Sequence, residues 1–288
     1  MADARFCVGF SSACKQAREG GGLPGYEPSR SSRGRCLRPF LPPDIVRLID
    51  ALVRRLEHED TLVAMNGGDL GTTLCQAATA GGLRDVRILL ARGADVDATT
   101  EYVNGNGDEL SWSALIWAAD GGHLSVVTAL LDAGSLERDA ALQTASFRGH
   151  TPIVALLLDR GADIHFGDDL SLVSASERGY VATATLLLDR GADLEAQDGG
   201  PLVHAAQFGR LEMVAFLLDR GADIHADDDC ALCVASTRGQ LEVVRLLLDR
   251  GADIHAHNEY ALGIARQHGH AAVVALLLGR GALEPEDE

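Results

Sequence analysis

The sequence predicts an all-α solenoid of about seven helix pairs with short hairpin turns. Three observations carry that expectation. Two glycine ladders climb the C-terminal half with a rung every 30 residues: Gly161, Gly191, Gly221, Gly251 and Gly281 in one, Gly149, Gly179, Gly209, Gly239 and Gly269 in the other. The run LLLDRGAD recurs at 156–163, 186–193 and 246–253, with FLLDRGAD at 216–223 and LLLGRGAL at 276–283. Aromatic residues make up only 5% of the chain against 47% hydrophobic, so Leu, Ala and Val must do the packing, as thin two-helix layers require. A strict period of this size marks one small unit stacked many times.

The chain begins differently. Residues 1–39 are rich in Gly, Ser, Pro and Arg, including Gly20-Gly21-Gly22 and Ser29-Arg30-Ser31-Ser32-Arg33. They show no periodic apolar pattern to offset ordering entropy, so a disordered basic tail is expected. Residues 40–69 are read as a helical N-terminal extension. After Pro42-Pro43 and Asp44, the residues Ile45, Leu48, Ile49, Leu52, Val53 and Leu56 follow helical spacing. A terminal repeat needs its apolar side covered, and a capping helix would do that.

The repeat domain occupies 70–288. In the unit Gly221 to Gly251 a first helix is expected over about 231–238, ended by Gly239, which tolerates a left-handed conformation. A second helix over 241–250 sets Leu241, Val244, Leu247 and Leu248 in one stripe, with Arg250 at the negative end of its dipole. Second helices are predicted near 83–92, 123–133, 151–160, 181–190, 211–220, 241–250 and 271–280. The period loosens upstream: Gly93 to Gly134 spans 41 residues and Gly134 to Gly161 spans 27, so one connection is lengthened and the next shortened.

This grammar, ALxxAxxxGHLxVVxLLLxxGAD, resembles the ankyrin repeat over residues 70–283. Ser113-Ala114-Leu115-Ile116-Trp117-Ala118-Ala119 followed by Gly121-Gly122-His123-Leu124 is the copy nearest the family pattern. The later copies are three residues shorter, and Ala140, Leu170, Gly200, Cys230 and Tyr260 stand where the family's TPLH motif has Thr. The hydroxyl-to-imidazole brace of that motif is therefore missing, and stubby hairpins are expected. Short ADIHA-type repeats of this kind are similar to those of ankyrin proteins in large DNA viruses of amoebae. The resemblance implies a non-enzymatic scaffold that binds protein partners on a concave surface. Separately, LPPDIVRLI…EDTLVAMN at 41–66 resembles the start of an F-box. That implies an alternative function as the substrate adaptor of a ubiquitin ligase, although the Trp-containing end of that module is absent.

Charge narrows the partners. Residues 1–39 hold seven Lys/Arg against three Asp/Glu, so of the net −17 the remainder carries −21. Phosphate contacts supply most non-specific affinity for nucleic acid, so the repeats are a poor match for it. There is no 18-residue apolar span, so no membrane partner is expected. Six cysteines (7, 14, 36, 75, 230 and 233) show no disulfide framework. An intracellular monomer with free thiols is expected, in cytoplasm or nucleus.

No catalytic constellation suggests itself, and no cofactor or metal is expected. His165, His225 and His255 share one repeat position, but neighbouring layers stack too far apart for their imidazoles to reach one zinc ion. Asp97 and Glu195 hold the same place elsewhere, which suits a polar turn position. Cys230-Ala231-Leu232-Cys233 is a lone CxxC aligned with Leu170 and Val173, and Asn104–Asp108 lacks the glycine and terminal Glu of a calcium loop.

Binding is expected where repeats differ from one another. The second helices are nearly invariant, whereas the first helices and tips vary. The candidates are Trp112, Phe147, Arg148, Arg178, Phe208, Arg238, Tyr260 and His268, with Asp168, Asp169, Asp198, Asp227 and Asp228 at the tips. Large planar side chains and Arg dominate interface energies. Trp112 lies beside the lengthened connection 97–111, expected to project as a finger.

Overall fold

A computed structural model describes residues 68–103 and 109–283, together with Ile45, Arg47, Leu48, Ala51 and Thr61, all five helical. The expected tail, most of the extension at 40–69, its capping contact and the loop 104–108 lie outside the described residues. The repeats fall within a unit spanning Glu59–Glu288.

Seven helix pairs follow one another: α1 (Leu70–Thr79) with α2 (Leu83–Ala91), α3 (Ala114–Asp120) with α4 (Leu124–Asp132), and α5 (Arg138–Arg148) with α6 (Thr151–Asp159). Then come α7 (Leu170–Arg178) with α8 (Val181–Asp189), α9 (Ala196–Gln207) with α10 (Leu211–Asp219), α11 (Ala226–Thr237) with α12 (Leu241–Asp249), and α13 (Ala256–Gln267) with α14 (Ala271–Arg280). The lengthened connection is a two-stranded antiparallel ribbon, β1 (Thr99–Val103) against β2 (Glu109–Ser113), with Thr100 opposite Trp112. The sequence marks that stretch as a lengthened connection without giving it strands; Thr99, Thr100, Tyr102 and Val103 are β-branched or aromatic residues that favour a strand.

The core runs through the stack as a file of small and branched side chains. Each first helix buries alanines and one leucine, such as Ala231, Leu232 and Ala235 in α11, and small side chains let first helices approach one another closely. Second helices bury bulkier residues and touch their neighbours less. In α12, Val244 and Leu247 are fully buried as the stripe required, but Val243 joins them, while Leu241 and Leu248 are half-buried. The helix faces both its own partner α11 and the helices α10 and α14 of adjacent layers, so its buried face is broader than one stripe.

The two glycine ladders end the two helices of each repeat for different reasons. Gly251 has φ +100 and open space around it, and its neighbour Ala252 donates to the Leu247 carbonyl at 3.0 Å, the Schellman closure. Only its backbone conformation demands glycine. Gly239, at φ +69, closes α11 in the same way, but a Cβ there would lie 2.5 Å from the His270 ring. Gly149, Gly209 and Gly239 need glycine twice over, for conformation and for the side chain of the next repeat that lies across them, whereas Gly269 in the last repeat has open space.

Candidate protein-binding surface

The candidate surface is built from the inter-repeat turns, the exposed residues of the first helices and the ends of those helices. Each of the last four turns opens with an aspartate whose side chain accepts from the backbone two residues on, as Asp223 Oδ1 does from the His225 N–H at 2.9 Å. Three consecutive left-handed residues follow: Gly167–Asp169 before α7, and Gln197–Gly199, Asp227–Asp229 and His257–Glu259 near the start of α9, α11 and α13, whose regular right-handed turns begin only after them. Such a conformation costs about 1–2 kcal/mol per non-glycine residue and needs support from outside.

Buried carboxylates give that support. Asp169 is only 3% exposed; Oδ2 lies 3.0 Å from His165 Nδ1 and Oδ1 accepts from the Asp193 N–H at 3.0 Å. Asp229 repeats the arrangement with His225 at 3.1 Å and Asp253 at 2.8 Å, and His255 pairs with Glu259. Where Gly199 removes the acid, Glu195 itself accepts from the Asp223 N–H at 2.9 Å. This network stands in for the absent hydroxyl-to-imidazole brace. The hydrogen bonds to Asp169, Asp229 and Glu259 raise the imidazole pKa of His165, His225 and His255 above its ordinary range.

The candidates therefore divide. Asp169 is a correction: it is buried in the turn and faces no partner, because the left-handed turn folds it inward while its neighbour Asp168 stays exposed. Trp112 does not project either. It is half-buried against the core, edge-to-face with Trp117 at 4.7 Å, and Trp117 Nε1 donates to Thr100 Oγ1 at 2.9 Å. Asp198, Asp227 and Asp228 are exposed at the tips. Arg148, Arg178, Phe208, Arg238 and His268 form an exposed file along the first-helix ends, one from each of five successive repeats. Three members are already engaged: Arg148 pairs with Asp120 at 2.6 Å, the Arg178 guanidinium lies 4.0 Å from the centre of the half-buried Phe147 ring, and the His268 ring stacks on His270 at 6.1 Å. Tyr260 is 49% and Phe208 42% exposed, the large apolar surfaces of the set.

Two inter-repeat devices were missed in the sequence. The residue after four of the five glycines of the second ladder reaches back over the previous repeat and hydrogen-bonds a carbonyl near its first-helix end; the exception is Tyr180, whose ring lies against Gly149. His150 meets the Asp120 carbonyl at 3.1 Å, Arg210 that of Glu177 at 2.9 Å and His270 that of Thr237 at 2.9 Å. On the opposite side, the Asp-Arg pair of LLLDR forms an exposed ladder. Arg160 pairs with Asp132, Arg190 with Asp159, Arg220 with Asp189, Arg250 with Asp219 and Arg280 with Asp249, all at 2.7–2.8 Å. The signal was the fixed spacing of the dipeptide; each Asp belongs to the layer before its Arg.

Among the described residues no group of three or more His, Cys, Asp or Glu is placed to hold a metal, and no helix is long and apolar enough to cross a membrane. Cys75, Cys230 and Cys233 are free thiols. Burial first, then nearby carboxylates, push Cys233 up to about 12 and raise Cys230, so neither is a ready nucleophile.

The family model for ankyrin repeats matches residues 74–168, 142–228, 172–258 and 202–287, which together span most of the chain. The chain belongs to the ankyrin repeat family. Ankyrin repeats are generally interaction scaffolds for other proteins, without enzymatic activity of their own. Among solved structures the chain is similar to the crystal structure of the human ASB11 ankyrin repeat domain. The TM-score is 0.61 with 27% identity, and the match covers 74% of this chain and 99% of that one. A search of curated proteins gave no match.

Proposed function

We propose that this ankyrin stack holds a protein partner on its concave side, read by the first-helix ends and the tips. The carrying observation is the exposed file Arg148, Arg178, Phe208, Arg238 and His268, in which Phe208 and His268 interrupt a row of arginines while each layer keeps a buried leucine at the equivalent place of its second helix. The stack acts as an intracellular monomer, without cofactor and without nucleic-acid or membrane partners. Phe208→Ala with Arg238→Ala removes an exposed aromatic and a guanidinium from adjacent layers. Quantitative affinity capture followed by mass spectrometry should show partners depleted with the double variant while helical circular dichroism is unchanged. Equal capture by both proteins would remove the support for this surface.

A second reading makes residues 41–66 the docking segment of a ubiquitin-ligase adaptor, with the repeats holding the target. It draws on the exposure of the helical residues Ile45 and Leu48, at 44% and 62%. Co-purification of a ligase linker subunit that is lost on Ile45→Ala with Leu48→Ala would favour it.

A further inference from the structure

The variable face is not uniform. Between α11 and α13 it opens into a pocket of about 440 Å³ lined by Cys230, Cys233, Val234, Thr237, His257 and Tyr260. The walls are mostly apolar: two neutral thiols, a valine, a threonine methyl and the tyrosine ring, with His257 edge-on to Tyr260 at 6.3 Å. The hollow suits an aromatic or branched aliphatic side chain, the kind that anchors interfaces from within a pocket.

Its surroundings are strongly one-signed at one end. Asp228 carries the acid to the pocket through its contact with the lining residue His257, and Asp227 precedes it on the same tip. Both carboxylates are exposed, as is Asp198 on the preceding tip. Asp229 is already committed to His225 and to the Asp253 N–H. His225 and His255 on these tips are held by Asp229 and Glu259, and His257 Nδ1 lies 3.2 Å from Asp228 Oδ2, while Asp227 faces solvent. Arg238 stands at the far end of α11, roughly 12 Å along the helix axis from Cys230. A second apolar hollow, lined by Arg266, Gly269, Ala271, Val274, Ala275 and Leu278, has no carboxylate in its wall.

We propose that the α11–α13 pocket with its Asp227–Asp228 rim takes a basic peptide segment, an apolar side chain entering the pocket while an adjacent Lys or Arg meets the carboxylates. This rests on the concave-face reading and adds the partner's chemistry. Complementary charge at the rim would speed encounter and fix register, while the pocket supplies the anchor.

The test is a random peptide library displayed on phage and panned against the full chain, followed by titration of a synthetic consensus peptide. The expected consensus places Lys or Arg beside Leu, Ile, Phe or Tyr. Two variants then read the site. Asp227→Asn with Asp228→Asn removes the rim charge, and Cys230→Leu narrows the pocket with the residue Leu170 supplies at the equivalent place. Each should weaken the peptide about tenfold, and the Asn pair should also flatten the salt dependence of binding. Helical circular dichroism confirms that both variants are folded. Neutral or acidic consensus peptides, unchanged affinity in both variants, or no enriched peptide at all would overturn the proposal. Peptides sensitive to Phe208→Ala with Arg238→Ala, but not to either pocket variant, overturn it while leaving the concave-face reading intact. Insensitivity to all three variants sinks both.

Discussion

In the last five repeats the second helices close on LLLDR, FLLDR or LLLGR. The first helices of the same repeats close on Phe147-Arg148, Glu177-Arg178, Gln207-Phe208, Thr237-Arg238 and Gln267-His268. The structure explains the contrast. A second helix meets its own first helix and two neighbouring second helices, and its Asp-Arg pair bonds one layer back and one layer forward. Any change there must be matched in the adjoining layers. A first-helix end is constrained by its glycine and by the side chain of the next repeat reaching its carbonyls, while its outward side chain is free to vary. Monotony marks what holds the stack, and variety marks what can read a partner.

The largest test of that division is Leu247→Ala. Leu247 is fully buried between layers, and its loss should cost about 2–5 kcal/mol by leaving a cavity. Chemical denaturation would show it; an unchanged midpoint would break the stacking half of the comparison.

Next comes a pair of neighbours on one tip. Asp229→Ala strands His225 and the Asp253 N–H and should destabilise by about 1–3 kcal/mol, whereas Asp228→Ala at the exposed position should change stability little. Equal effects would mean that tip positions cannot be sorted by burial.

The Asp-Arg ladder should matter less. A double-mutant cycle on Asp159 and Arg190 should give a coupling below about 1 kcal/mol, because both side chains are well exposed. The coupling should vanish at high salt.

The smallest effect is on pH. Because the folded-state pKa values of His165, His225 and His255 are raised, their protonated forms add stability below the ordinary imidazole value of 6.5. That contribution is lost as pH rises through the raised values. Denaturation midpoints should therefore fall slightly from neutral to mildly alkaline pH in the wild type, and less in a His165→Gln, His225→Gln, His255→Gln triple variant.

How much was legible beforehand follows from what each signal encodes. The glycine rungs and leucine runs placed all seven second helices within a residue or two of their observed bounds, because both are local and periodic. The ribbon at Thr99–Val103 broke the period and could be read only as a lengthened connection. Asp168 and Asp169 look alike in sequence, and only the left-handed turn separates the exposed carboxylate from the buried one. The Asp-Arg ladder was present at fixed spacing, but Arg250 read alone suggests a helix-dipole contact; its partner Asp219 lies 31 residues back. Trp112 was read as exposed because its partner Trp117 and the strand holding it are set by tertiary pairing.

The division between stacking side and reading side is tested most directly by hydrogen exchange on the full chain, alone and with a captured partner. The account predicts new protection at the tips and first-helix ends around 165–169, 197–208, 227–238 and 257–268, with the second helices unchanged. New protection confined to 181–189, 211–219 and 241–249 would contradict it.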